Sequence, residues 1–163
     1  MGTAWTVVHT RPRREKMVAQ HCGTFSLPFR LPLRRSIRKY SNRTVEFEVP
    51  LFPGYVFVAA EVERARALTQ TGHVARVFPI PPLEVPEFCE QLDAVEFALS
   101  QDVAMEVAPE IVAGTLVMIR YGPLAGTQAW VQERRGKVEV VLRLDFIGQG
   151  ALLKVAADAL EPI

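Results

Sequence analysis

The chain has little of what a metal centre or a nucleophilic enzyme requires. Its 163 residues include two cysteines and three histidines. Cys22 and Cys89 are far apart and lack metal-ligand spacing, which suits buried thiols in a reducing cytoplasm. His9, His21 and His73 are scattered, with no HExxH spacing. There is no P-loop, no GxGxxG and no serine in a GxSxG elbow. The expectation is therefore a non-enzyme with no catalytic residues, no metal and no cofactor. No apolar run approaches the roughly 20 residues needed to span a bilayer. No basic stretch precedes a long apolar one at the start, so no export signal is expected. Met1-Gly2-Thr3-Ala4-Trp5-Thr6 formally fits a myristoylation pattern, but the match is short and carries no weight.

What is present is a folded composition, 49% hydrophobic and 23% charged, long enough for one domain or two small ones. A net charge of +1 conceals an asymmetry. Residues 1–50 carry ten Lys/Arg against three Glu, a balance of +7, and the rest carries nine against fifteen, a balance of −6. From Glu84 to Glu110 there are eight acidic residues and no basic one. Such polarity suits a molecule that orients itself on a charged partner; two simply solvated faces would look the same.

Taken in order, Trp5-Thr6-Val7-Val8-His9 reads as a first strand. A helix is expected from about Pro12 to Cys22, stopping at Gly23, with Val18, His21 and Cys22 inward and Arg13, Arg14 and Lys16 outward. Phe25 to Leu33, with Pro28 and Pro32, reads as extended. Arg34 to Arg43 is a basic run joining it, as a hairpin or loop, to the alternating strand Val45–Val49. A helix from about Val62 to Thr71 ends at Gly72. His73–Phe78 is a strand, and Pro86 opens a helix to about Leu99, with Phe88, Leu92, Val95 and Leu99 at helical spacing. Residues 101–113 lack sustained periodicity and read as a linker. From Thr115 the character changes to short strands between glycine turns, the signature of a small barrel. These strands are Leu116–Arg120, Gln128–Glu133, Val138–Leu144 and Ala151–Val155, with Arg135-Gly136 and Gly148-Gln149-Gly150 as turns.

The most informative stretch is Pro50-Leu51-Phe52-Pro53-Gly54-Tyr55-Val56-Phe57-Val58. Pro53-Gly54 is a turn signal, and the strand after it is apolar on both faces. Pattern alone favours a buried central strand, one face on the domain's own core and the other covered by the same domain or by a partner. The basic segments Arg11–Lys16 and Arg30–Arg43 could meet nucleic-acid phosphate, with Tyr40 stacking on a base, or could simply solubilise the surface.

Three features in this order resemble the NusG family of transcription elongation factors. They are the Trp5-Thr6-Val7-Val8 strand, the segment Leu51–Val58, and a C-terminal module opening Gly114-Thr115-Leu116-Val117-Met118-Ile119 and continuing Tyr121-Gly122-Pro123-Leu124-Ala125-Gly126, which looks like a KOW motif. The resemblance implies an α+β chain. An N-terminal α/β sandwich domain, an antiparallel sheet flanked by helices, would span 1–100, and an SH3-like KOW β-barrel would span 114–163. It implies a cytoplasmic, monomeric elongation or antitermination factor that suppresses pausing. Such factors bind the clamp helices of the largest RNA polymerase subunit; here an apolar, partly exposed patch of Val7, Phe52, Tyr55, Phe57 and Val77 would do so. It further implies that Arg11, Arg13, Arg14 and Lys16 face non-template DNA, and that the KOW domain recruits a ribosomal protein or a termination factor. Ala129 stands where family KOW motifs often have glycine, a departure shared by RfaH-like specialised paralogues. The helix Glu63-Arg64-Ala65-Arg66-Ala67-Leu68 lacks the histidine-threonine motif of some of those. The rival readings are a ribosome-associated or RNA-binding KOW protein that works through the barrel, and a small enzyme with an unrecognised site.

Overall fold

The computed structural model describes residues 2–101, 103–108, 114–134, 137–155 and 159–163. The elements are β1 (Thr6–Thr10), α1 (Glu15–Thr24), β2 (Phe29–Arg30), β3 (Leu33–Tyr40), β4 (Arg43–Pro50), β5 (Tyr55–Val58), α2 (Val62–Ala65), β6 (Val74–Pro79) and α3 (Val85–Ser100). They continue with β7 (Met105–Ala108), β8 (Thr115–Ile119), β9 (Gln128–Arg134), β10 (Lys137–Leu144), β11 (Gln149–Leu153) and β12 (Leu160–Pro162). The class is α+β: an N-terminal sheet with helices, then a C-terminal region of antiparallel strands. The chain divides into two compact units, Met1–Pro32 with Phe52–Glu87, and Leu33–Leu51 with Phe88–Ile163.

The first unit is built on a four-stranded antiparallel sheet in the order β2-β5-β1-β6. One face carries Val8, Val56 and Val58, buried with Val18 and Cys22 of α1 and with Leu27, Ala65 and Leu68. Burial pushes the Cys22 thiol up to about 11 from its ordinary 9.0, so it stays a protonated apolar filler at neutral pH.

Helix α1 begins three residues later than its proline suggests. Arg11-Pro12-Arg13-Arg14 is closed by the Arg14 N–H donating to the Arg11 carbonyl at 3.2 Å, and Arg13 lies at φ +63°. Proline occupies the second position of a turn rather than the first turn of a helix, and a left-handed residue behind it postpones the helix. Nor does Gly23 stop it. The Leu27 N–H reaches the Cys22 carbonyl at 2.8 Å and the Ser26 N–H the Gly23 carbonyl at 3.2 Å, with Ser26 at φ +55°. This is a Schellman end with serine in the left-handed position, sealed by Leu27 and Cys22 in one core cluster. The segment after β5 does end where expected. Helix α2 passes into a 3-10 turn over Arg66–Thr71, and Gly72 follows at φ +81°.

In the second unit β3 and β4 form a two-stranded ribbon, and the remaining strands form a six-stranded antiparallel sheet in the order β12-β8-β9-β10-β11-β7. Its buried side chains include Val117, Ile119, Val140, Leu142, Leu144 and Leu153. Strand β7 lies inside the stretch expected to be a linker. Met105 is buried, and β7 pairs with β11 through Met105↔Leu153 to Ala108↔Gly150. Four residues are too short a period to stand out among acidic neighbours; a pairing partner distant in sequence makes the strand. Helix α3 is tied to the 3-10 turn Asp145–Ile147. Gln91 donates Nε2 to Asp145 Oδ2 at 2.8 Å and accepts the Asp145 N–H at 2.9 Å, while Phe88 meets Phe146 edge-on. The expected Arg135-Gly136 turn and residues 102 and 109–113 of the expected linker lie outside the described residues.

Candidate functional site

The site grows from the turn between β4 and β5. Phe52-Pro53-Gly54-Tyr55 is closed by the Tyr55 N–H donating to the Phe52 carbonyl at 3.3 Å. Proline presets the second position, and Gly54 at φ +90° occupies the third, which L side chains rarely adopt. A Cβ on Gly54 would stand in van der Waals contact with the His9 ring at 3.4 Å, so it is the backbone conformation that favours glycine. Three further contacts fix the turn. The Gly54 carbonyl accepts the Thr10 N–H at 2.8 Å, the Gly54 N–H donates to Glu15 Oε2 at 2.9 Å, and His9 stacks on Tyr55 with centroids 5.2 Å apart. Glu15 is buried at the first residue of α1, where a carboxylate also complements the helix dipole. The end of β1, the start of α1 and the start of β5 thus meet at one glycine.

Register then decides which side chains share a face. Val7 opposes Phe57 and His9 opposes Tyr55 across β1–β5, while Val7 opposes Phe78 and His9 opposes Arg76 across β1–β6. Directly paired residues lie on the same face. So Val7, Tyr55 and Phe57 do come together, on the face opposite the valine core, and Phe52 joins them edge-to-face with Phe57 at 6.3 Å. Val77 does not. It opposes Val8 and packs against the helix-side cluster, and its neighbour Phe78 takes the place beside Val7. Sequence reading missed Phe78 because the choice between adjacent residues of β6 rests on register alone. It also missed two cations on this face: Arg30, opposite Phe57 and 5.6 Å from the Trp5 ring, and Arg76, 5.8 Å from the Phe78 ring.

Exposure on this face is uneven. Val7, Phe52 and Phe57 are buried, Tyr55 is half-buried, and Phe78 is exposed. The accessible part is therefore a rim of Tyr55, Phe78 and Arg76 over a buried apolar floor. Arg11, Arg13, Arg14 and Lys16 are all exposed, three in the turn before α1 and one at its start. The Arg11 N–H is held by the His73 carbonyl at 2.8 Å, and Arg14 Nη1 lies 3.5 Å from Met17 Sδ. Among the described residues no three His, Cys, Asp or Glu side chains form a group able to hold a metal, and no helix is long and apolar enough to cross a membrane.

The turn, β1, β5 and β6 all fall within residues 3–87, which match the family model described as transcription termination factor nusG, slightly more than half of the chain. The chain belongs to the NusG family. No curated protein matches it. Membership makes it a transcription factor of a non-enzymatic family and implies binding to RNA polymerase.

Proposed function

We propose that this NusG-family chain is an elongation or antitermination factor that docks on the clamp helices of RNA polymerase through the β1–β5–β6 face. The observation that carries this reading is the face itself. Aromatic and apolar side chains are gathered opposite the domain's own core, beside a turn held by three independent contacts. Exposed aromatics beside arginines are the composition of binding anchors. Tyr55 and Phe78 make the first contact, and Val7, Phe52 and Phe57 set the shape beneath them. Phe78 replaces Val77 in the proposed set. Docking brings Arg11, Arg13, Arg14 and Lys16 toward the non-template strand, and residues 114–163 act as a KOW domain recruiting a ribosomal protein or termination factor. A specialised, RfaH-like role on selected operons fits the Ala129 departure.

The test is polymerase affinity. Tyr55→Ala and Phe78→Ala should each weaken binding by about 2 kcal/mol, roughly 30-fold, with unchanged unfolding midpoints. Wild-type affinity in both folded variants defeats the docking assignment. Co-purification with ribosomes rather than polymerase would favour a ribosome-associated KOW protein.

A further inference from the structure

The β3–β4 ribbon carries a second surface. Its eight cross-strand pairs run from Leu33↔Pro50 to Tyr40↔Arg43, and alternate pairs point to opposite faces. One face holds Arg35, Ile37, Lys39, Glu46 and Glu48, with Arg35 and Glu46 in an ion pair at 3.1 Å. The other holds Arg34, Arg38, Arg43, Tyr40 and Phe47, and no carboxylate. Both acids of the ribbon are thus sorted to one side. A surface that serves only solubility intersperses its signs. This one separates three guanidinium groups and two rings from every acid of the ribbon.

The rings and cations are already associated. Arg38 Cζ lies 5.7 Å from the Phe47 ring centroid, and Arg43 Cζ lies 5.6 Å from that of Tyr40. Tyr40 is 48% exposed and Phe47 39% exposed, so both rings are open to a ligand. Phe47 opposes Ser36, four residues from Tyr40 along β3. At about 3.3 Å per residue the rings stand about 13 Å apart along the ribbon, two separate platforms with Arg38 between them. A ligand that matches this pattern is a polyanion that offers flat π faces at intervals. A duplex withholds its base faces; a single strand presents them to aromatic side chains and guanidinium planes. For a transcription factor the long single strand at hand is the transcript. We propose that the Arg34–Arg38–Arg43 face of the β3–β4 ribbon binds single-stranded RNA, with Tyr40 and Phe47 each stacking on a base. This rests on the family membership and not on the docking face.

The experiment uses the full chain without polymerase, so its outcome does not depend on docking. The probe is a fluorescent single-stranded RNA of about twelve mixed-sequence nucleotides, followed by anisotropy at about 50 and 200 mM salt. The same sequence as single-stranded DNA and as an RNA duplex provides the other arms. The Tyr40→Ala/Phe47→Ala variant should lose at least about tenfold in affinity, while Tyr40→Phe keeps it. Arg38→Gln/Arg43→Gln should weaken binding and flatten the salt dependence, whereas Arg35→Gln/Lys39→Gln, which removes equal charge from the other face, should change affinity less than about threefold. Equal losses from the two charge pairs overturn the proposal, as does equal or tighter binding of the DNA strand or of the duplex. Should the double alanine variant not fold, the comparison of the two charge pairs decides alone.

Discussion

Phe57 and Phe47 are the same residue in two strands and have opposite surroundings. Phe57 lies in β5, between β1 and β2 of a four-stranded sheet, and is fully buried. Phe47 lies in β4 of a two-stranded ribbon, is 39% exposed, and has Arg38 for a ring neighbour. In both strands successive side chains point to opposite faces, and both are paired along their length. Strand formation therefore does not separate core from binding surface. The separation comes from what each face carries. Strand β5 is apolar on both sides and its burial contributes stability; the ribbon carries charged side chains on both, and its rings Tyr40 and Phe47 stay exposed. A two-stranded ribbon is marginal on its own, and stability is not what its exposed rings provide.

The same substitution in both strands is the strongest way to break this contrast. Phe57→Ala should lower the unfolding free energy by about 3–5 kcal/mol through lost transfer and a residual cavity. Phe47→Ala should cost less than about 0.5 kcal/mol, because solvent fills the space. Urea unfolding of the two variants measures both. Equal costs would mean that the ribbon is as much a part of the folding core as β5. The large cost also disqualifies Phe57 as a docking probe, since its loss reports on the fold; Tyr55 and Phe78 are the informative positions.

The next effects sharpen the contrast at the turn that leads into β5. Gly54→Ala places an L side chain at φ +90° with its Cβ 3.4 Å from His9, and should cost about 1–2 kcal/mol. Glu15→Gln keeps the shape but replaces a charge-assisted hydrogen bond to the Gly54 N–H with a neutral one, and should cost about 1 kcal/mol. The two variants share one atom, so the double variant should cost less than the sum. Additive costs in urea melts would show that the glycine and the carboxylate act separately.

Features carried by residue type were legible in the sequence. The β1 and β5 strands, the Pro53-Gly54 turn and the stop at Gly72 follow from apolar runs, proline and glycine, and the family resemblance rested on the β1 strand, the Leu51–Val58 segment and the C-terminal Gly114–Gly126 module. What depended on distant pairing was not legible. Val77 and Phe78 are neighbours of similar chemistry, and only the pairing of β6 with β1 sends them to opposite faces. The segment Met105–Ala108 becomes a strand because β11 offers it an edge. The sorting of charges on the ribbon is likewise a property of register: the sequence shows a basic run and an alternating strand, and the pairing aligns the arginines with the rings and turns the acids away. Ser26 and Arg13 escaped for another reason. Both hold left-handed backbone positions with residues that do not announce them.

Arg13 supports a small expected effect that is the most diagnostic for the basic turn. A non-glycine residue at φ +63° costs roughly 1 kcal/mol that glycine would not incur. Glycine gives part of this back through the greater freedom of its unfolded chain, so Arg13→Gly should stabilise the protein by only about 0.5 kcal/mol. If the arginine is kept there for phosphate contact, the same change should weaken binding to elongation complexes with an exposed non-template strand. The logarithmic salt slope should then become shallower by roughly 0.7, the value for one phosphate contact on a single strand. Phosphate contacts carry no sequence preference, so Arg14→Ala and Lys16→Ala should weaken all sequences alike, while Arg11→Ala should also flatten any preference. Urea melts and binding at two salt concentrations on the same Arg13→Gly preparation give both readings. A more stable protein with a shallower slope identifies the turn as a contact made at the expense of stability. A more stable protein with an unchanged slope returns Arg13 to the solvated surface, and the strained turn to a local accident of the chain.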